Sequence, residues 1–176
     1  NLGFAQSESE NGFFKYQEVF VQTDDFGSEY LETLEKAIAQ IPKDSLLRFQ
    51  IINDVGYYYH TRNLKKALKI IEDGIEESRE GSLSSTYWVG KMLVSKGAIL
   101  LRMEELDHAE QALNDAISLI PQKESWLLYT NLGYVYERQG KLAEAFAYAS
   151  KTLEIGEKYG DDKARAMAYS DMSNLF

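Results

Sequence analysis

The chain has no cysteine and, among 176 residues, only two prolines and two histidines. Without cysteine there are no disulfides, thiol nucleophiles or cysteine-ligated metals, and the redox compartment stays open. The histidines, His60 and His108, lie far apart, and no His-Glu-x-x-His arrangement puts two on one helix face. A glycine-rich phosphate cradle and a Gly-x-Ser-x-Gly elbow are both missing. No apolar run reaches membrane-spanning length, so no membrane contact is expected of these residues. Basic charge is also scarce: 19 Lys and Arg against 28 Asp and Glu leave a net charge of −9. Phosphate recognition needs clustered cations, which argues against nucleic acid. Lys65-Lys66 is an isolated pair that reads as a solvated helix face.

The carboxylates that are present form no chemical constellation. Asp24-Asp25 and Asp161-Asp162 lack the alternating spacing of a calcium loop and read as turn and cap residues. Glu104-Glu105 falls in a turn, where paired carboxylates are solvated rather than arranged as acid and base. No catalytic residue, metal or cofactor is therefore expected.

What is present is a repeat. An apolar content of 44% with 27% charged residues suits a folded chain, and little proline beside much Ala, Leu, Glu and Lys favours helix. Tyr129-x2-Leu132-Gly133-x2-Tyr136 is followed by Ala145-x3-Ala149-x2-Thr152. Before it come Leu93-x2-Lys96-Gly97-x2-Leu100 with Ala109-x3-Leu113-x2-Ala116, and Ile52-x2-Val55-Gly56-x2-Tyr59 with Ala67-x3-Ile71-x2-Gly74. Tyr30-x3-Leu34-x2-Ala37 is a half-match at one end, and Tyr169-x2-Met172-Ser173-x2-Phe176 at the other. Apolar residues at i, i+3 and i+7 share one helix face. Glycine there, with alanine opening the next helix, removes bulk where two helices cross. By that logic a leucine at Gly133 overpacks its crossing. Residues 61–63, 103–105 and 138–140 are the turns. Asp44 and Asp161 suit helix N-caps, Gly160 a terminator, and Pro42 and Pro121 fall where helices should stop.

These residues resemble the tetratricopeptide repeat, whose pattern is W-x2-L-G-x2-Y, then A-x3-F, then P. Tyr129, Leu93 and Ile52 stand where that pattern has tryptophan, Lys96 stands for leucine, and the turn at 61–63 is one residue short. Repeat periods above the usual length imply longer helices or linkers, at 76–87 and 154–164. The resemblance covers residues 28–176 and implies an all-α fold: a right-handed superhelix of antiparallel helix pairs, the last pair truncated. Residues 1–27 read as a tail plus a segment, 13–22, that suits a helix or a strand.

A tetratricopeptide array implies a concave groove lined by the first helix of each pair. Turning each such helix about its Gly or Ser puts inward Asn53, Tyr57 and His60; Val94, Ala98 and Leu101; Thr130, Tyr134, Glu137 and Arg138; and Ser170 and Asn174. This aromatic, small and polar mixture suits a protein or peptide segment. Tyr57, Tyr134 and Arg138 lead, because Tyr and Arg are enriched at binding hot spots. The competing reading packs the tyrosines between repeats. Asn53, Asn131 and Arg138 do not reproduce the carboxylate clamp some family members carry.

Three functions fit the layout. The first is a non-enzymatic binding module, the input region of a longer bacterial signalling protein, since such proteins place an array of this kind before an output domain. The second is a stand-alone adaptor, and the third a helical hydrolase using His60 and groove carboxylates. Gly3-Phe4-Ala5 has the form of a signal-peptidase site, which points to export; a frayed tail, with a cytoplasmic protein, explains it equally well. Self-association is left open.

Overall fold

The computed structural model describes residues 28–43, 45–80 and 85–175. The expectations placed on 13–22, Asp44 and Phe176 lie outside them. The chain divides into two units, 1–39 and 40–176. In the first the described element is α1 (Ser28–Gln40).

The second unit is a succession of helices: α2 (Leu46–Tyr59), α3 (Leu64–Glu80), α4 (Thr86–Arg102), α5 (Leu106–Ala116), α6 (Trp126–Arg138), α7 (Leu142–Tyr159) and α8 (Asp162–Asn174). A 3-10 turn, Gln122–Glu124, follows Pro121 and leads into α6. Among the described residues there is no strand. The turns at 61–63 and 103–105 fall where the sequence placed them, whereas the one expected at 138–140 lies one residue later, with Arg138 still in α6. The extra repeat length is taken up largely as helix: α3 has 17 residues and α7 has 18. Asp161 caps α8 by accepting from the backbone N–H groups of Lys163 and Ala164, and Gly160 ends α7 at φ 68°.

Each helix pairs with the next in chain order. In addition α2 touches α4, α4 touches α6, and α6 touches α8, whereas the second helices α3, α5 and α7 do not touch one another. The first helices therefore form a continuous layer and the second helices a spaced one. Closer spacing in one layer than in the other curves the stack toward the first helices, as in helical-repeat superhelices. Burial follows from this. The second helix α3 buries one stripe, Ala67, Ile71, Gly74, Ile75 and Ser78. The first helix α4 buries residues on most of its circumference, Val89 through Leu100 with few gaps, because it packs against four helices, α2, α3, α5 and α6.

One buried ion pair ties the start of this unit. Arg48 is 9% exposed; its Nε and Nη2 meet Glu77 at 2.5 and 3.0 Å, and Nη1 donates to the Ile41 carbonyl at 3.2 Å. A bidentate fork with a third acceptor is the geometry in which a buried guanidinium is tolerated. The lysine pair at 65–66 splits. Lys65 is exposed, but Lys66 is not on a solvated face: its Nζ donates to the Tyr59 hydroxyl at 3.0 Å and lies 4.4 Å from that ring's centroid. The long aliphatic stem lets the charge reach back to the end of α2.

Candidate functional site: the inner layer of first helices

The residues turned inward by the repeat register lie along α2, α4, α6 and α8, and the structure grades them by exposure. Asn53, Val94, Ala98 and Thr130 are buried. Tyr57, His60, Leu101 and Tyr134 are half-buried, and Glu137, Arg138, Ser170 and Asn174 are exposed. Asn53 Oδ1 accepts from Ser95 Oγ at 2.7 Å, bridging α2 to α4. Thr130 Oγ1 faces Thr152 Oγ1 at 3.5 Å, linking α6 to α7.

Tyr57, Ala98 and Tyr134 hold the same place in successive repeats, one residue after the glycine. The two phenols thus stand on either side of a methyl group. Tyr57 stacks on His60 with ring centroids 4.2 Å apart, and His60 Nδ1 contacts the Tyr57 carbonyl oxygen. Burial holds the His60 imidazole below its usual range; the Tyr57 hydrogen bond opposes this, and the Arg102 and Arg62 charges add to it. Tyr134 donates to Asp171 Oδ1 on α8 at 2.8 Å. Burial, then Asp171, push the Tyr134 hydroxyl well above the usual phenol range. Arg138 is held by Glu104 at 2.5 Å, from the end of α6 to the turn after α4.

Two carboxylates of this layer escaped the sequence reading. Asp54 lies one residue after Asn53; burial pushes it up to about 6, against Lys91 and an Asn53 hydrogen bond. Asp171 is 8% exposed, and burial raises it too, with Tyr134 opposing. Both stand two residues before the Gly or Ser of their repeats, so the same wheel that chose Asn53 and Ser170 would have found them one step on.

A roomier cleft of about 510 Å³ lies on the other side, between α3 and α5, floored by Leu93, Lys96 and Leu100 of α4. Lys96, which replaces a core leucine in the repeat pattern, meets Glu72 there at 2.8 Å, and His108 meets Glu105 at 3.1 Å. Among the described residues no group of three or more His, Asp or Glu side chains is placed to hold a metal. None of the described helices is long and apolar enough to cross a membrane.

A layer of first helices carrying partly exposed aromatic and polar side chains, backed by a spaced layer of second helices, defines a helical-repeat interaction scaffold. Residues 90–123 and 128–158, which hold α4 with α5 and α6 with α7, match the tetratricopeptide repeat family model. These two segments are similar to tetratricopeptide repeats, a repeat type that mediates protein–protein interaction. No curated protein matches the chain.

Proposed function

We propose that the first-helix layer of this module binds an extended segment of a partner protein along Tyr57, Ala98, Leu101, Tyr134 and Glu137. The supporting observation is the register of Tyr57 and Tyr134 across Ala98. Two half-buried phenols flank a small residue, and each offers an aromatic face with a polar tip to a partner segment. The cleft behind α4 is larger, but the lysine at its floor, Lys96, is already paired with Glu72. As the input region of a longer signalling protein, the module would act by binding one conformation better than another, which is all that a ligand needs to shift an output.

A random peptide library selected on the protein tests this reading. Sequences recovered on the intact module should lose binding to Tyr57→Ala and Leu101→Asp variants whose helical circular dichroism is unchanged. Lys96→Ala, in the opposite cleft, should leave capture intact. The reverse pattern places the binding face behind α4.

A further inference from the structure

The three complete repeats use the same crossing and fill it differently. At Gly56 an added Cβ would lie 2.4 Å from Ile71 Cδ1, and at Gly97 it would lie 2.4 Å from Leu113 Cγ. Ile71 and Leu113 are both fully buried, each plugging the notch its glycine leaves. The third repeat has Ala149 at that place. A Cβ on Gly133 would meet nothing nearer than the Ala145 carbonyl oxygen at 3.6 Å. The unplugged notch is a small pocket bounded by Gly133, Ala145, Ala149 and Leu175, with Asp171 and Glu137 among its charged and polar lining. Its volume is about 10 Å³, room for one group the size of a water molecule.

The chemistry of that space is specific. Asp171 is more than nine-tenths buried, and one of its oxygens accepts the Tyr134 hydroxyl. Among the described residues its other oxygen takes no hydrogen bond, and neither Asp171 nor Glu137 has a cationic partner. The nearby arginine, Arg138, is engaged by Glu104. That free Asp171 oxygen keeps its access to solvent at the notch, so a neutral methyl group there would strip its water without replacing it, whereas a cation would compensate the charge. A metal ion would find only two carboxylates and a phenol whose proton is held tightly. A planar guanidinium is larger than the space, whereas an ammonium is compact and carries three donors.

We propose that the notch beside Gly133 receives the ammonium end of a lysine side chain from a partner segment lying in the groove, with Asp171 and Glu137 as its acceptors. The stem of the lysine runs past Leu175 and the Tyr134 ring, and Tyr134 keeps Asp171 oriented toward the opening. This rests on the groove reading above and adds an identity to one of its side chains.

The test is a nuclear magnetic resonance titration of the isotope-labelled protein with two blocked heptapeptides. One is acetyl-Gly-Ser-Gly-Lys-Gly-Ser-Gly-amide, and the other carries norleucine in place of lysine. The lysine peptide should shift the Gly133 amide and the Ala145 and Ala149 methyl signals. It should bind on the order of tenfold more tightly than its neutral twin, equivalent to about 1.4 kcal/mol. Ala149→Leu restores the plug found in the other repeats, so it should fold normally and lose the lysine preference. Asp171→Asn keeps an acceptor for Tyr134 and should lose the preference as well. Equal affinity of the two peptides, a preference that survives Ala149→Leu, or no lysine-dependent shift at millimolar peptide overturns the proposal. If library-selected peptides then still perturb Tyr57 and Ala98, the groove reading stands and only the lysine pocket falls.

Discussion

The α4–α5 crossing and the α6–α7 crossing start from the same device, a glycine on the first helix facing an alanine-led second helix. At the first, Leu113 fills the glycine's notch so closely that a single added carbon would overlap it. At the second, Ala149 leaves the notch open and a charged residue of the next helix looks onto it. One position thus decides whether a repeat contributes only to the core or also offers a recess on the inner layer. Removing a plug and adding one are therefore the most direct ways to break the comparison.

The largest effect is expected from opening the closed crossing. Leu113→Ala removes a fully buried side chain, and such truncations cost about 2–5 kcal/mol, the loss depending on how far the site collapses. Equilibrium urea unfolding reads it directly. A cost below about 1 kcal/mol would mean that α5 collapses onto Gly97 and closes the notch without a plug, and the distinction between the repeats would dissolve.

Matched glycine substitutions sharpen the contrast. Gly97→Ala must displace buried Leu113 and is expected to destabilise by about 1–3 kcal/mol. Gly133→Ala meets only ordinary contacts and gains from the lower conformational freedom of the unfolded chain, so it should stabilise by about 0.5–1 kcal/mol. This narrows the sequence expectation that bulk at Gly133 overpacks the helices: the first added carbon fits there, and the overlap occurs at Gly56 and Gly97. Opposite signs in thermal unfolding support the comparison, and equal losses would sink it.

The inner layer carries a second contrast, between half-buried Asp54 at one end and buried Asp171 at the other. Asp54 is raised by burial from 3.8 to about 6, with Lys91 and Asn53 offsetting part of the cost. A carboxyl whose folded value exceeds its unfolded one binds its proton more tightly when folded. It therefore favours folding below pH about 4, and that contribution is lost as pH rises through about 6. Asp54→Asn should match the wild type near pH 3.5 and exceed it by on the order of 2 kcal/mol at pH 7. A pH-independent difference would show that the carboxylate is already compensated.

Much of this was legible in the sequence, because helix faces, turns and caps are local. The glycine spacing placed α2 through α8, and Asp161 and Gly160 announced the boundary between α7 and α8. What eluded a helical wheel was the stagger between helices. Asn53 meets Ser95 from 42 positions away, and Tyr134 meets Asp171 from 37. Neither pairing follows from the pattern of one helix. Lys66 folded back onto Tyr59 for a similar reason, since the direction of a long side chain depends on what lies across the turn. The series Ile71, Leu113, Ala149 was in plain view; its meaning required knowing that this position faces the glycine.

The smallest expected effect concerns the turns. After α6 the chain turns through Gly140 at φ 75°, and after α4 it makes the same turn through Glu104 at φ 60°. Left-handed backbone costs a residue with a Cβ about 1 kcal/mol relative to glycine. Glu104 also pairs with Arg138, but both side chains are about 60% exposed, and such pairs contribute little. The strain should win, so Glu104→Gly is expected to stabilise by up to about 1 kcal/mol in thermal unfolding. It would also release Arg138 beside Glu137, at the edge of the notch. If Arg138 then swings toward the two carboxylates, it competes with a lysine for them. The variant would thus be more stable and bind the lysine heptapeptide less tightly. Destabilisation instead would mean that the Glu104–Arg138 pair outweighs the backbone strain and holds the two repeats together.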